Sequence, residues 1–466
     1  MYDRVVVPKL ARSARSAIQA ELLFPGGSEY ESARRVWNGM HDRTPAFIAR
    51  CRTASEVSSV VRHAVRENLP LTVRGGGHNV AGTAVADGAV MIDLSPMRDV
   101  TVDSEARVAV AQGGCLLRDL DAATTSHGLA CPAGVVSHTG LGGLVLGGGY
   151  GWLARRYGLT CDHLLAAEVV LADGSVAEVG EGRYEDLLWA LRGGGGNFGV
   201  VTSFTLRLRP VEVVHRHVGV YPLSEAASAL AGYGEFAECQ PLDMHATGAL
   251  KFAASDEWIP SELRSRPALF LTAAWFGSPG SGASANARLF NHVRPAAALV
   301  QALSYAELQR LGDHSEPHGN RYFTKSCYLT GLGDTTIAGM IAAARDMRSP
   351  ASSIDFEYLR GAISAVPETG SAFPARDAPY MYTASAQWTD PGADGENAAW
   401  SRQSIDRLRE AHHGGAYVNY VQDEFQGGTA ELYGNDRYRR LADVKRRYDP
   451  LNMFHHNQNI SPAAND

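Results

Sequence analysis

Three glycine-dense stretches interrupt the 466-residue chain: Arg74-Gly75-Gly76-Gly77-His78-Asn79, the span 140–151, and the span 193–199. Glycine at that density costs conformational entropy, so such backbone is expected where positive φ or close approach to a ligand is needed. A Rossmann fingerprint requires a helix that opens at the glycines, whereas 79–88 is polar, turn-rich and leads to another strand. No Gly-Lys-Ser/Thr follows any cluster, which removes a Walker loop. What remains is a nest of backbone N–H groups able to hold a pyrophosphate. His78 closes the first loop as a nitrogen nucleophile that is neutral near pH 7. Tyr417 and Tyr420, three apart, are placed on one strand with side chains on opposite faces, so only one meets a ligand directly. A tyrosine titrates near 10, so a base role at either one demands a neighbouring cation. Arg376 and Lys251 are the candidates, little separated from surface charges.

These groups need elements to hold them. Thr53-Ala-Ser-Glu56 is a capping box, and Val57, Val60, Val61, Ala64 and Val65 share one helical face up to about Asn68-Leu-Pro70. Strands are expected at 71–74, 90–94 and 107–111, helices at 114–126 and 184–192, and a period-two strand at 200–209 ended by Pro210. Further on, strands at 268–276, 354–363 and 380–388 alternate with alanine-rich helices such as 396–412. Without strict βαβ order, that pattern suggests an antiparallel sheet with helices on one face. A tyrosine strand and a helix at 436–448 close the chain.

Composition excludes several classes. Apolar residues at 45% and charged residues at 20% describe an ordinary globular chain of two or three domains. A net charge of −7 without a basic stretch argues against nucleic acid. No apolar run of about 18 residues is present, so no membrane span is expected. The N-terminus is basic without a signal-peptide apolar core, which reads as cytoplasmic. Six scattered cysteines without a CxxC pair, and the adjacent pairs His412-His413 and His455-His456, offer no metal site.

Five blocks carry a resemblance. They are Arg74-Gly-Gly-Gly-His78; Gly142-Gly143 with Gly147-Gly-Gly-Tyr-Gly151-Trp152; Trp189-Ala-Leu-Arg-Gly-Gly-Gly-Gly-Asn-Phe-Gly199; Tyr417-Val-Asn-Tyr420; and Tyr448-Asp-Pro-Leu-Asn452 with Asn457-Gln-Asn459. In type and order they resemble the berberine-bridge-enzyme-like FAD-linked oxidases of the vanillyl-alcohol-oxidase superfamily, from about residue 40 to 460. The resemblance implies an α+β fold: a bipartite FAD-binding domain of PCMH type at 1–210 and 416–466, and an inserted substrate-binding domain at 211–415. It implies FAD held covalently by an 8α-histidyl bond through His78. Cofactor contacts are implied for Arg74, Gly75, Gly76, Gly77 and Asn79, and for Ser137, His138, Thr139, Gly142, Gly143, Gly147 and Gly148. Gly199, Val200, Tyr417, Asn419, Asn457 and Asn459 complete that set. Bicovalent members carry a cysteine where this chain has Val136; Cys131 lies eleven residues before Gly142, so a single histidyl link is expected.

The stretch Val136-Ser-His-Thr-Gly-Leu-Gly-Gly143 is implied to run beneath the flavin ring, with Tyr150, Trp152 and Leu144 walling the substrate pocket. His138-Thr139, Leu144, Tyr150 and Trp152 together resemble the family's oxygenase branch of the enterocin pathway, whose flavin is an N(5)-oxide. That branch implies catalytic roles for Thr139, Tyr150 and Glu357, beside Tyr420 as the family's catalytic phenol. Its substrate-strand tyrosine has no counterpart in Gly248-Ala-Leu-Lys-Phe252. The implied activity is hydride transfer from an organic alcohol, phenol or polyketide-like metabolite to flavin, which O₂ reoxidises, by an oxidase or oxygenase outcome. A carbohydrate oxidase is the second reading, and a flavin-holding binding protein without turnover the third. The implied partners are a small-molecule substrate and O₂, with no nicotinamide, nucleic acid or membrane.

Overall fold

The computed structural model describes residues 6–422 and 428–464. The side chain of Thr53 accepts the Glu56 N–H at 3.2 Å and opens the helix Ala54–Glu67. Glu56 returns a bond to the Arg52 N–H at 2.6 Å, one residue earlier than a strict capping box places it. Asn68, at φ 51°, turns the chain out of the helix. The helix buries Val57, Val60, Val61 and Ala64 against a four-stranded sheet ordered Glu21–Leu23, Phe47–Arg50, Val90–Asp93, Leu71–Arg74. Beside it lies a five-stranded antiparallel sheet ordered Val100–Asp103, Val108–Gln112, Val200–Arg207, Leu164–Val170, Val176–Val179. Its second strand starts one residue later than the pattern suggests because Arg107 has φ 53°.

Seven antiparallel strands form the third sheet, ordered Ala297–Leu303, Val214–Pro222, Pro267–Trp275, Met244–Phe252, Ser353–Tyr358, Tyr380–Trp388, Arg321–Leu329. One face is covered by the helices Ala226–Cys239, Asp334–Arg345 and Asp394–Asp406. Period two decides what the other face shows. In Ser353–Tyr358, Ile354, Phe356 and Tyr358 join the helix-side core, while Ser353, Asp355 and Glu357 line a cavity. The strand expected to reach residue 363 stops at Tyr358; Gly361, at φ 116°, leads into the short helix Ala362–Ala365. The helix expected to reach 412 ends at Asp406. The tyrosine strand is not a strand: Val418–Tyr420 is a single 3-10 turn with Tyr417 at its start.

Among the described residues no helix is long and apolar enough to cross a membrane, and no group of three or more His, Cys, Asp or Glu stands ready to hold a metal ion. Residues 1–5 of the basic N-terminus lie outside the described residues, and Val6–Ala17 is a helix.

The C-terminal helix Asn435–Tyr448 is fastened by a buried charge. Lys445 Nζ donates to Asp449 at 2.6 Å, to the Asn197 carbonyl at 2.7 Å and to the Phe454 carbonyl at 2.9 Å. Asp449 in turn accepts the N–H groups of Met453 and Phe454 at 2.7 and 2.9 Å. All three ammonium hydrogens are thus used, and one contact joins the third glycine loop to the tail. Lys445→Met strands the Asp449 carboxylate in a dry site, which should cost about 3–5 kcal/mol in urea denaturation. Adding Asp449→Leu should restore part of that loss.

Candidate active site

A cavity of about 1130 Å³ lies between the polar face of the seven-stranded sheet and the glycine loops. Pockets for single small ligands usually span about 300–1,000 Å³. This one has room for a nucleotide cofactor and a substrate together.

His78 sits at the loop wall. Its Nε2 is 3.2 Å from His138 Nδ1, and Trp37 stacks on its ring at 4.3 Å and 15°. Burial, then the nearby His138 and His318, lower its pKa to about 3, so the imidazole stays neutral. The two loops meet because Gly76 and Gly140 present bare backbone to each other; a Cβ on either would overlap the other residue. Trp37 and His318 were not found from the sequence. Neither sits in a motif, and both arrive through long-range folding.

The cavity gathers most of the sequence-predicted residues. Gly75, Gly76, Gly77 and Asn79 line it, as do Thr139, Gly142, Gly143 and Leu144. So do Tyr150, Trp152, Gly199, Val200, Glu357, Tyr417, Asn419, Tyr420 and Asn457. Six others stand behind the lining. Arg74 Nη1 donates to the Ala33 carbonyl. Ser137 gives its N–H and hydroxyl to Asp313 at 2.7 and 2.6 Å. His138 reaches the site through His78. Gly147 and Gly148 are closed over by the side chains of Asn419 and Phe373. Asn459 has a buried Oδ1 without a partner.

The expected opposition of Tyr417 and Tyr420 is corrected. Positions three apart on a 3-10 turn fall on the same side, and the two rings meet edge-on with centroids 4.9 Å apart. Tyr417 is an anchor: its hydroxyl accepts the Gly149 N–H at 2.9 Å and Asn419 Nδ2 at 3.0 Å. Tyr420 lines the cavity. Neither cation candidate lowers its pKa. Arg376 is buried and forked onto Asp162 at 2.5 and 3.1 Å, so it is no surface charge. Lys251 lines the cavity but acts on Asp355 and Glu316. Burial first, then Tyr417, Glu357, Asp355 and Glu316, hold Tyr420 well above the ordinary tyrosine value.

The sheet wall is acidic. Burial, reinforced by Asp355, raises Glu357 to about 8, and its Oε2 is buried without a partner. Glu316 is raised to about 8 by burial and then Asp355. His245, also missed from the sequence, lies 3.4 Å from the Tyr150 hydroxyl, and burial lowers it to about 3. Burial also lifts Tyr150 well above its ordinary value. Asp355 was also missed, although strand alternation from Glu357 could have found it; nothing local marked His245.

An FAD binding domain model matches residues 45–180, and a berberine and berberine like model matches 416–461. (R)-6-hydroxynicotine oxidase of Paenarthrobacter nicotinovorans is 30% identical, over 96% of this chain and 98% of its own length. The chain belongs to the berberine-bridge-enzyme-like FAD-linked oxidases. The solved structure of 6-hydroxy-D-nicotine oxidase from Arthrobacter nicotinovorans superposes with a TM-score of 0.83 at 26% identity, covering 96% of this chain and 98% of that one. Glucooligosaccharide oxidase from Acremonium strictum, which carries a 6-S-cysteinyl, 8α-N1-histidyl FAD, shares the fold at TM-score 0.85 and 20% identity, over 98% and 100%. Like its berberine-bridge-enzyme-like relatives, the chain is an FAD-dependent oxidoreductase with an α+β fold and a PCMH-type FAD-binding domain.

The residues present fit FAD. A neutral His78 stands at one end of the glycine loops. Toward the tail, the buried Asn457 Oδ1 and His456 Nε2 line the same cavity with no partner in the chain. Gly143 separates this fit from folding. It lies in the helix Leu141–Leu146, and a Cβ there meets nothing in the protein. Gly143→Ala should therefore fold as well as the parent, or gain up to about 1 kcal/mol of helix stability, yet retain less FAD. Circular dichroism melts and flavin absorbance per protein check both parts. Gly76→Ala should instead lose folded protein.

Proposed function

We propose that this chain oxidises an organic alcohol, phenol or polyketide-like metabolite, with FAD held through His78 and O₂ as the electron acceptor. The observation that carries this reading is a single cavity lined by His78, the glycine loops with Tyr150, the turn carrying Tyr420 and the sheet strand carrying Glu357. FAD held there would supply the acceptor for hydride from the substrate carbon and the route for those electrons to O₂. The chain supplies position and proton control. Glu357, poised at about 8 with a free Oε2, receives the substrate hydroxyl proton. Tyr420 and Tyr150 stay protonated and donate hydrogen bonds to the substrate oxygen. Neutral His245, with its proton on Nε2, donates to the Tyr150 oxygen at 3.4 Å and leaves the Tyr150 O–H for the substrate.

His78 holds the flavin by a single 8α bond. Val136 lines the cavity, whereas Cys131 is wholly buried and its thiol is pushed up by burial. Thr139 and Leu144 stand on the lining where an oxygenase outcome would be directed. One hydrogen bond from Thr139 contributes about 0.5–1.5 kcal/mol, too little to impose that outcome alone. The chain divides at about 210 and 415, with the cofactor held by both ends and the seven-stranded sheet between them.

The denatured protein band should fluoresce in acid, and His78→Ala should abolish that signal; fluorescence surviving in the variant would reveal a second link. Glu357→Gln should keep its FAD and lose about 10²–10⁴-fold in kcat, judged by O₂ consumption with a panel of alcohols and phenols. A base works only when ionised. The parent kcat/KM should therefore rise about tenfold per pH unit below about 8 and level off above it. Strict dependence on a nicotinamide would sink the oxidase reading.

A further inference from the structure

Arg216 lies on the strand Val214–Pro222, on the cavity face of the seven-stranded sheet. It donates from Nη1 to Gln301 Oε1 at 2.8 Å, and its Nε is buried without a partner. Among the described residues no carboxylate lies within ion-pair distance of it. Burial alone acts on its charge and brings it down to about 10. Three other buried or half-buried arginines make more hydrogen bonds. Arg376 is forked onto Asp162. Arg155 donates to the Arg360 and Met244 carbonyls, and Arg192 donates twice to the Leu164 carbonyl. A guanidinium removed from bulk water without a counter-charge is costly to fold around. A cavity-lining one gains its counter-charge when an anion enters.

Strand register fixes where that anion would sit. Arg216 pairs across Ala274, and Ala274 pairs across His245. Arg216 and His245 are therefore two strands apart, roughly 10 Å at ordinary strand spacing; Ala274 between them is buried in a cluster with Trp152, and the open lining runs from Arg216 past Val218, Thr272 and Thr247. Glu357 pairs with Thr247 one strand further on, roughly 15 Å from Arg216. On that side Glu357, Asp355 and Glu316 line the cavity and disfavour an anion once ionised.

We propose that Arg216, held by Gln301, forms a carboxylate subsite at the far end of the cavity, so that the substrate is an elongated organic acid oxidised at the end remote from its carboxylate. This rests on the oxidase site proposed above and names its substrate class. A planar guanidinium matches a carboxylate through two parallel N–H bonds, which a neutral amide cannot reproduce in charge.

The test uses the FAD-loaded protein, with 4-phenylbutanoate and its neutral amide as probes and thermal shift and flavin absorbance as readouts. The parent should bind the acid at least tenfold more tightly than the amide, and Arg216→Met should erase that preference. Without any probe, Arg216→Met should raise Tm by a few degrees, because it removes an unpaired buried charge; a merely structural arginine would lower it. A parent that fails to discriminate, including one that binds neither probe, overturns the proposal. So does a preference that survives in Arg216→Met. Discrimination without O₂ consumption on any alcohol would sink the oxidase reading and leave the subsite standing.

Discussion

Two loops cross at Gly76 and Gly140 with no room for a single Cβ between them, and the geometry at His78 follows from that contact. The second loop is fixed from behind. Leu117 N–H donates to the Thr139 carbonyl at 2.9 Å, Arg118 N–H to the Ser137 carbonyl at 2.8 Å, and Leu141 N–H to the Cys115 carbonyl at 2.8 Å. Ser137 is then tied to Asp313, on the connection that leads to the sheet strand Arg321–Leu329. With both loops held, His138 comes within 3.2 Å of His78. The glycines sacrifice chain entropy, and in return two backbones approach as side-chain-bearing residues never do. Lys445 performs the same service for the third loop, by charge instead of by missing atoms.

The opposite wall rests on a different constraint, the two-residue repeat of a strand. A sheet covered by helices on one face must send its other side chains elsewhere. Here that other face looks into the cavity and carries Arg216, His245, Lys251, Asp355 and Glu357. Such groups are tolerated because the cavity replaces part of the water they lose. Their shifts measure how incompletely: Glu357 rises to about 8 and His245 falls to about 3, both chiefly through burial.

Legibility in the sequence followed the range of the interaction. The helix Ala54–Glu67 and the strands Leu71–Arg74 and Tyr380–Trp388 were legible because caps, turns and alternation are local signals. The glycine blocks were legible as a family pattern, and most of their residues line one cavity. Tyr417 and Tyr420 misled because three-residue spacing means opposite faces on a strand and the same side on a 3-10 turn. Arg376, a candidate cation for Tyr420, could not be told from a surface charge because its partner, Asp162, lies over two hundred positions away. Trp37, His245 and Glu316 left no mark at all, since each reaches the cavity through packing that no short window contains.

Proton inventory narrows what the cavity can do. Tyr420 and Tyr150 lie well above their ordinary value, so at neutral pH neither is a phenolate. His245 lies near 3 and stays neutral. Glu357 and Glu316 in the cavity are each raised to about 8, and burial raises Asp355 beside them as well. Of these, Glu357 has a buried oxygen without a partner and perturbs both Tyr150 and Tyr420 by its charge, which places it within electrostatic reach of both phenols. Groups with similar surroundings have thus been driven to different protonation states by burial and by one another, the usual way a protein separates acid from base. A substrate hydroxyl seated between the phenols and Glu357 would meet two donors and one acceptor. That is the arrangement in which losing the proton toward the carboxyl and losing hydride from carbon reinforce each other.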